Sequence, residues 1–478
     1  MKIWRIQGIA FIAALFLLTA CSASSGSGEG RLSTDMGLSS TSGREELLAA
    51  ASYFVEDSVA AAKFSMINIT FYGDSRTSRA FTWHTDSSIT GSDIRYAPVR
   101  DGAADTLRTQ MRSGEGGVSE DQETTGWHKA IVDNLQPGVE YRYQLGDAEQ
   151  DIWGPVGSFR MAEQQDDFTF LFVSDAHVRD EKSAGVVSQA LERALETAPD
   201  AEFVAQCGDF VHNANEPEQW RLAMETNRHW LTCIPNVPVA GNHDNDDGAF
   251  SRHFHLPSPR ESDPEKGAFY SFRYGPVHFV VLNTNEWTDD YGYLSKKQTA
   301  WMRGDVRTAR QSGAQWIIVL MHRGVYTLGE NAENKRITQM RASLPALFDE
   351  LRVDLVLQGH DHIASRTKPL KNGVPADEGV LYLNSGPIGR YGDELNTGMP
   401  DEYFALFDFW TQRPLDREYQ SFYVIRAEAG KAVSGTLYET YRAKDAPVYT
   451  VDRFTLPLAA PAPEPSGEEE ALFDSAVS

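Results

Sequence analysis

Apolar and polar positions along the chain fall into two regimes. Up to about residue 163, short runs rich in β-branched and aromatic residues dominate. Ile67-Asn68-Ile69-Thr70-Phe71 alternates with period two, and Ala80-Phe81-Thr82-Trp83-His84 is similarly β-rich. A period of two puts alternate side chains on opposite faces, so these segments predict strands. Leu135-Gln136-Pro137-Gly138 is a turn signal, and Tyr141-Arg142-Tyr143-Gln144-Leu145 reads as the strand after it. From Asp166 onward the pattern changes. Phe168 to Val173, Ala201 to Cys207, Val277 to Leu282, Trp316 to Leu320 and Val353 to Leu357 are short apolar runs that predict buried strands. Val186 to Ala198 carries Val187, Ala190, Leu191 and Leu195 at helical spacing. Strands alternating with helices are the pattern of an α/β domain.

Composition narrows the function classes. At roughly 100 to 200 residues per domain, 478 residues suggest two or three domains. Lys plus Arg total 44 against 68 Asp plus Glu, a formal charge of −24 that repels a phosphate backbone, so no nucleic-acid binding is expected. A small anionic substrate is not excluded, because a bound metal reverses the local field. Three separated cysteines are too few for a disulfide framework, and Cys207 and Cys233 are expected as buried, unpaired thiols.

The two ends read differently. Lys2 and Arg5 precede a ten-residue apolar run, Ile9 to Leu18, too short for a bilayer of about 30 Å but suited to a signal-peptide core. The run ends in Leu18-Thr19-Ala20-Cys21, which resembles a bacterial lipobox and implies cleavage before a lipid-modified Cys21. Residues 1–20 are thus expected as a lipoprotein signal peptide and 21–50 as a Ser/Gly-rich tether, giving an exported, membrane-anchored protein. Residues 457–478, with Pro461, Pro463, Pro465 and Glu468-Glu469-Glu470, are expected as a disordered acidic tail.

Between them, residues 60–163 resemble a fibronectin type III or immunoglobulin-like all-β sandwich, on the buried Trp and the Tyr that follows the Pro-Gly corner. In the α/β part, residues 166–456, chemistry-bearing residues gather where strands end. Strand one runs into Asp175-Ala176-His177, and the next into Gly208-Asp209. Val237 to Ala240 runs into Gly241-Asn242-His243-Asp244. Two later strands run into His322 and into Gly359-His360-Asp361-His362. The crevice beyond the carboxyl ends of the strands is where open α/β sheets bind ligands. Each motif alone is weak, but five in this order at strand ends are specific.

That series resembles the calcineurin-like metallophosphoesterase superfamily, and the preceding sandwich makes the architecture similar to purple acid phosphatases. The resemblance implies a mixed β-sandwich flanked by helices, and two transition-metal ions, Fe, Mn or Zn. Asp175, His177, Asp209 and His362 would hold one ion; Asp209, Asn242, His322 and His360 would hold the other, with Asp209 as the bridge. It further implies attack on a phosphomonoester by metal-bound hydroxide, with His243 as proton donor. Asn242, His243 and Arg323 would contact the substrate, and Asp244 would orient His243 by accepting a ring N–H.

The chain also departs from the purple acid phosphatase pattern. His212 stands three residues after Asp209, where those enzymes carry a ligating tyrosine, and His177 stands where they carry glycine. The phenolate is lost while the ligand count is kept, so a divalent pair is expected, with His212 in a loop or supporting role. Two alternatives stay open: a phosphodiesterase acting on a nucleotide or lipid headgroup at the same site, and an inactive surface-binding protein. Histidines 84, 128, 229, 253, 255 and 278 have no motif context.

Overall fold

The predicted strands form at nearly the expected positions in a computed structural model of the chain. It describes residues 58–458 apart from 120–121, 164, 246–247, 260–261, 263–266, 287–293, 390–391, 412–418 and 444–445. The expected signal peptide, Cys21, the tether and the acidic tail beyond Leu458 lie outside the described residues.

Two large sheets pack against each other. One has seven strands, in the order Tyr270–Tyr274, Val277–Leu282, Trp316–Arg323, Leu355–Gly359, Leu381–Asn384, Ser365–Thr367, Phe407–Trp410. The other has ten and includes Asp167–Val173, Ala201–Gln206 and Asn236–Pro238 as parallel neighbours. Phe170 and Phe203 from the second sheet meet Phe279 from the first, with ring centroids 5.5 Å apart in both pairs. Alternate residues of the seven-stranded sheet (Val280, Ile317, Val319 and Val356) point the other way and are covered by helices Lys296–Gln311 and Lys335–Glu350. The central strands are therefore buried on both faces, which is why they read as continuous apolar runs.

The helix expected from Val186 begins earlier, spanning Glu181–Thr197. Asp180 caps it by accepting the Ser183 N–H at 2.7 Å, and its polar first turn has no apolar periodicity to announce it. Trp316–Arg323 also runs further than expected, so His322 lies within the strand instead of beyond its end. The pairing with Leu355–Gly359 slips between Met321 and Arg323, a bulge that re-aims the His322 side chain.

The amino-terminal sandwich pairs Phe64–Thr70, Arg79–Asp86, Gln122–Val132 and Glu115–Ser119 over a sheet built on Asp93–Arg100, Glu140–Asp147 and Gly157–Arg160. Its core holds Phe81, Trp83, Tyr143 and Phe159. The Tyr141 hydroxyl accepts the Gln136 N–H at 2.9 Å and ties the Pro-Gly corner to the strand that follows. The boundary seen in sequence near residue 163 is not a break in the sheet. Thr70 pairs in parallel with Asn236, so four strands of the sandwich continue the ten-stranded sheet. At its opposite edge, Tyr419–Glu428, Ala432–Tyr441 and Tyr449–Pro457 add three antiparallel strands beside Asp167–Val173.

Cys207 and Cys233 are not joined in a disulfide, and only Cys207 is buried. Cys233 is half-exposed, because it follows the short helix Arg228–Leu231 and is not part of a core strand. No helix among the described residues is long and apolar enough to cross a membrane.

Candidate metal centre

Loops leaving the strand ends bring the motif residues together. Asp175, His177 and His362 place one ligand atom each within 4.8 Å of one another, and so do Asp209, His322 and His360. Asp175, His177, Asp209 and His360 all have positive φ, between 46° and 75°. Non-glycine residues held there cost on the order of 1–3 kcal/mol each, a strain typical of ligand-clamping loops. Close packing adds a second constraint. Gly208 has φ 90°, and a Cβ on it would lie 2.5 Å from His322 Nδ1. A Cβ on Gly359 would lie 1.9 Å from Ser174 Oγ and 2.8 Å from Asp175 Oδ2.

Asp209 stands between the two clusters. Its Oδ2 is 3.2 Å from His177 Nε2 and 3.3 Å from His322 Nε2, while its Oδ1 accepts the His243 N–H at 2.9 Å. Burial alone would raise its pKa, but His322 and His177 hold the carboxyl well below the usual carboxylate range. His322 is fixed from both sides, with Nδ1 2.8 Å from the Cys207 carbonyl oxygen and Nε2 3.1 Å from Asn242 Oδ1. A carbonyl can only accept, so Nδ1 donates to Cys207, and Nε2 is the nitrogen that faces the oxygens of Asp209 and Asn242, where a cation would be held. Asp175 accepts the His360 N–H with both oxygens, at 3.2 and 3.1 Å.

The donor set fits a pair of cations. Both ring nitrogens of His177 and of His362 are buried without an aligned hydrogen bond, although carboxylate oxygens approach them at 3.2 to 3.9 Å. Ring nitrogens and carboxylate oxygens converge there without the aligned N–H to O geometry that a purely structural ion-pair network would have. Burial opposes charge on His362, yet Asp175 and Asp393 raise its imidazole to about 10, so the site draws positive charge. Burial depresses His360 to about 3, keeping it a neutral nitrogen donor. Mixed imidazole and carboxylate donors suit Zn, Fe or Mn better than Ca or Mg.

Residues 168–364 match the calcineurin-like phosphoesterase family, and residues 65–161 match the purple acid phosphatase N-terminal domain. The chain carries a calcineurin-like phosphoesterase domain behind a purple acid phosphatase N-terminal domain. Members of these families are phosphoester hydrolases, and purple acid phosphatases use a dinuclear metal centre. The chain is 24% identical over 344 residues to an uncharacterized protein of Mycobacterium tuberculosis, spanning 65% of this chain and 63% of that one. It is 22% identical over 373 residues to purple acid phosphatase 23 of Arabidopsis thaliana, spanning 66% and 77%. A purple acid phosphatase from yellow lupin seeds shares the fold at a TM-score of 0.65 and 17% identity, over 82% of this chain and 74% of that one.

Within the phosphoesterase domain, one sequence expectation changes. Asp244 does not accept from the His243 ring. It is fully buried, and its carboxylate takes the backbone N–H groups of Val211 and Gly241, at 3.2 and 2.9 Å. Burial beside Asp209 pushes it up to about 8, against the pull of those two amides. It braces the loops carrying Asp209 and Asn242. The His243 Nδ1 instead meets the His212 carbonyl oxygen at 2.6 Å, and the two rings stack with centroids 5.2 Å apart. His212 itself joins His177 and His243 in a third group of imidazoles within 4.8 Å. Arg323 is half-buried, its guanidinium donating to the Thr284 carbonyl at 3.1 Å and to Asn285 Oδ1 at 2.8 Å.

Three supporting groups escaped the sequence reading. Asp393 faces His362 twice, accepting its N–H at 3.0 Å and lying 3.2 Å from Nδ1. It stands in a loop with no flanking periodicity, so nothing in the pattern singled it out. Asp361 accepts from Thr327 Oγ1, from the Gly329 N–H at 3.0 Å and from Asn331 Nδ2 at 2.8 Å, pinning a neighbouring loop. The Cys207 carbonyl is backbone, which no side-chain motif can announce.

Proposed function

We propose that this chain is a metal-dependent phosphatase that hydrolyses phosphomonoesters, exported and anchored through a lipid on Cys21. The observation that carries the catalytic part is Asp209 Oδ2, which lies within 3.3 Å of a histidine from each cluster. Asp175, His177, Asp209 and His362 would hold one ion, and Asp209, Asn242, His322 and His360 the other. When bound, such a pair lowers the pKa of water and stabilises charge developing on the phosphoryl oxygens.

The chain's own residues supply orientation and a proton. Because the His212 carbonyl oxygen accepts from His243 Nδ1, that nitrogen keeps its proton in both states of the ring. The exchangeable proton therefore resides on Nε2, from which the imidazolium protonates the leaving alkoxide. After transfer the neutral ring retains the same hydrogen bond, so no reorientation is needed. Asp244 and the Cys207 carbonyl hold the ligand-bearing loops and the His322 tautomer.

Export rests on the signal-like Lys2 to Leu18 segment and anchoring on Leu18-Thr19-Ala20-Cys21. Elemental analysis of the full-length protein, with turnover of chromogenic phosphomono- and phosphodiesters, tests the catalytic reading. About two transition ions per chain and preference for the monoester are expected. Full metal with turnover of diesters alone would replace the substrate class. Failure to take up Zn, Mn or Fe would sink the reading. Metabolic labelling with a fatty acid, lost in Cys21→Ser, tests the anchor.

A further inference from the structure

A cleft of about 80 Å³ opens beside His177 and His212, where one water needs roughly 10–15 Å³. Residues 179–186, entering helix Glu181–Thr197 and including Arg179, Lys182, Ser183 and Val186, form one wall, and Arg442 after strand Ala432–Tyr441 forms another; buried Gln420 and half-buried Gly389 complete the lining. Three cationic side chains thus face one acidic one, Asp180, in a protein whose formal charge is −24. Asp180 is engaged within the wall: its Oδ1 accepts the Ser183 N–H at 2.7 Å, and Arg179 Nε lies 3.9 Å from its Oδ2. None of this is needed to hold metal, and it lies on the His177 side of the site.

We propose that this cleft is an anionic subsite, selecting phosphomonoesters whose leaving group carries a second negative group, a carboxylate or a phosphate. The inference rests on the phosphatase reading and names its substrate class. A scissile phosphoryl group between the two clusters would direct its leaving group out past His243 and His212; the His212 ring, stacked on that of His243, borders the cleft. Arg442 and Lys182 are exposed at its rim, where they meet the distal anion as charge-assisted donors.

Matched probes test this on the full-length, metal-loaded protein: propyl phosphate against 3-phosphonooxypropanoate for turnover, and butylphosphonate against 4-phosphonobutanoate for calorimetric binding. The carboxylate member of each pair is expected to be favoured. In Arg442→Ala and Lys182→Gln that preference should fall roughly tenfold through KM, with the uncharged members unchanged within about twofold. Equal preference in the wild type, or equal losses on both members in the variants, overturns the subsite while leaving the phosphatase reading intact. Carboxylate-dependent, Arg442-dependent phosphonate binding without any turnover keeps the subsite and overturns the phosphatase reading. Absence of both overturns both.

Discussion

Two regions of this molecule bury several histidines, and they do opposite things with them. At the strand ends, His177, His322 and His362 face Asp175, Asp209 and Asp393. Under the amino-terminal sandwich, His84 and His253 lie with ring centroids 4.7 Å apart, His253 stacks on Trp220 at 4.3 Å, and His128 stacks on Trp83 at 5.2 Å. The charges acting on His84 and His253 are Arg252, Lys129 and other histidines. Burial therefore wins throughout the seam, lowering His84 to about 3 and His128 and His255 to about 4, whereas at the strand ends burial still lowers His177 and His360 but carboxylates raise His322 and lift His362 to about 10. Burial of imidazoles alone does not make a cation site; convergent carboxylates do.

The sharpest way to break the contrast is to remove the shared carboxylate. Asp209→Ala takes an oxygen from both clusters, and loss of turnover by about 10³-fold or more is expected, as when a principal charge stabiliser is deleted. Elemental analysis should show both ions reduced together. Loss of only one would mean that Asp209 is not a bridge.

Acid separates the regions next. The seam histidines have folded pKa values below the unfolded value of about 6.5, so the unfolded chain binds more protons as the pH drops. Their contribution is complete above about pH 6.5 and is lost as the pH falls through about 4. The loss should be on the order of 3 kcal/mol for each such histidine, read as a falling midpoint in denaturant melts of metal-free protein between pH 7 and pH 4. A flat profile would show that the seam opens to water without unfolding.

A smaller effect is expected from Asp393→Asn. Asparagine can still contact His362 but supplies no charge to it. Affinity for the ion held by Asp175, His177 and His362 should fall about 10- to 100-fold, with the other ion retained. Titration with a metal chelator should then resolve two steps where the parent protein gives one.

The sequence displayed the first of these regions far better than the second. Motif residues at strand ends were legible because a strand-end position is a property of local pattern, as at Asp175-Ala176-His177 and Gly359-His360-Asp361-His362. Roles set by a loop's path were not. Asp244 stands beside His243 in sequence yet turns inward to two backbone amides, and the carbonyl that holds His243 comes from His212, 31 residues away. The seam was equally hidden, because His84 and His253 meet only once Phe64–Thr70 has joined the sheet beside Asn236–Pro238.

One substitution placed in both regions sharpens the comparison most finely. His253→Phe keeps an aromatic ring over Trp220 and removes a buried Nδ1 that has no hydrogen-bond partner. The bond from Asn68 Nδ2 to residue 253, at 3.0 Å, goes to the backbone carbonyl and survives the change. Near-conservation of volume should hold the cost below about 1.5 kcal/mol at pH 7. At pH 4 the sign should reverse, because phenylalanine has no proton to take up on unfolding, and the acid slope should become shallower. His362→Phe makes the same change where Asp175 and Asp393 face the ring. It should strand the buried carboxylate of Asp175 and the half-buried one of Asp393, and empty that half of the site at every pH. Melts of the two variants at pH 7 and pH 4 decide the matter: parallel pH profiles would mean that carboxylates are not what separates the regions.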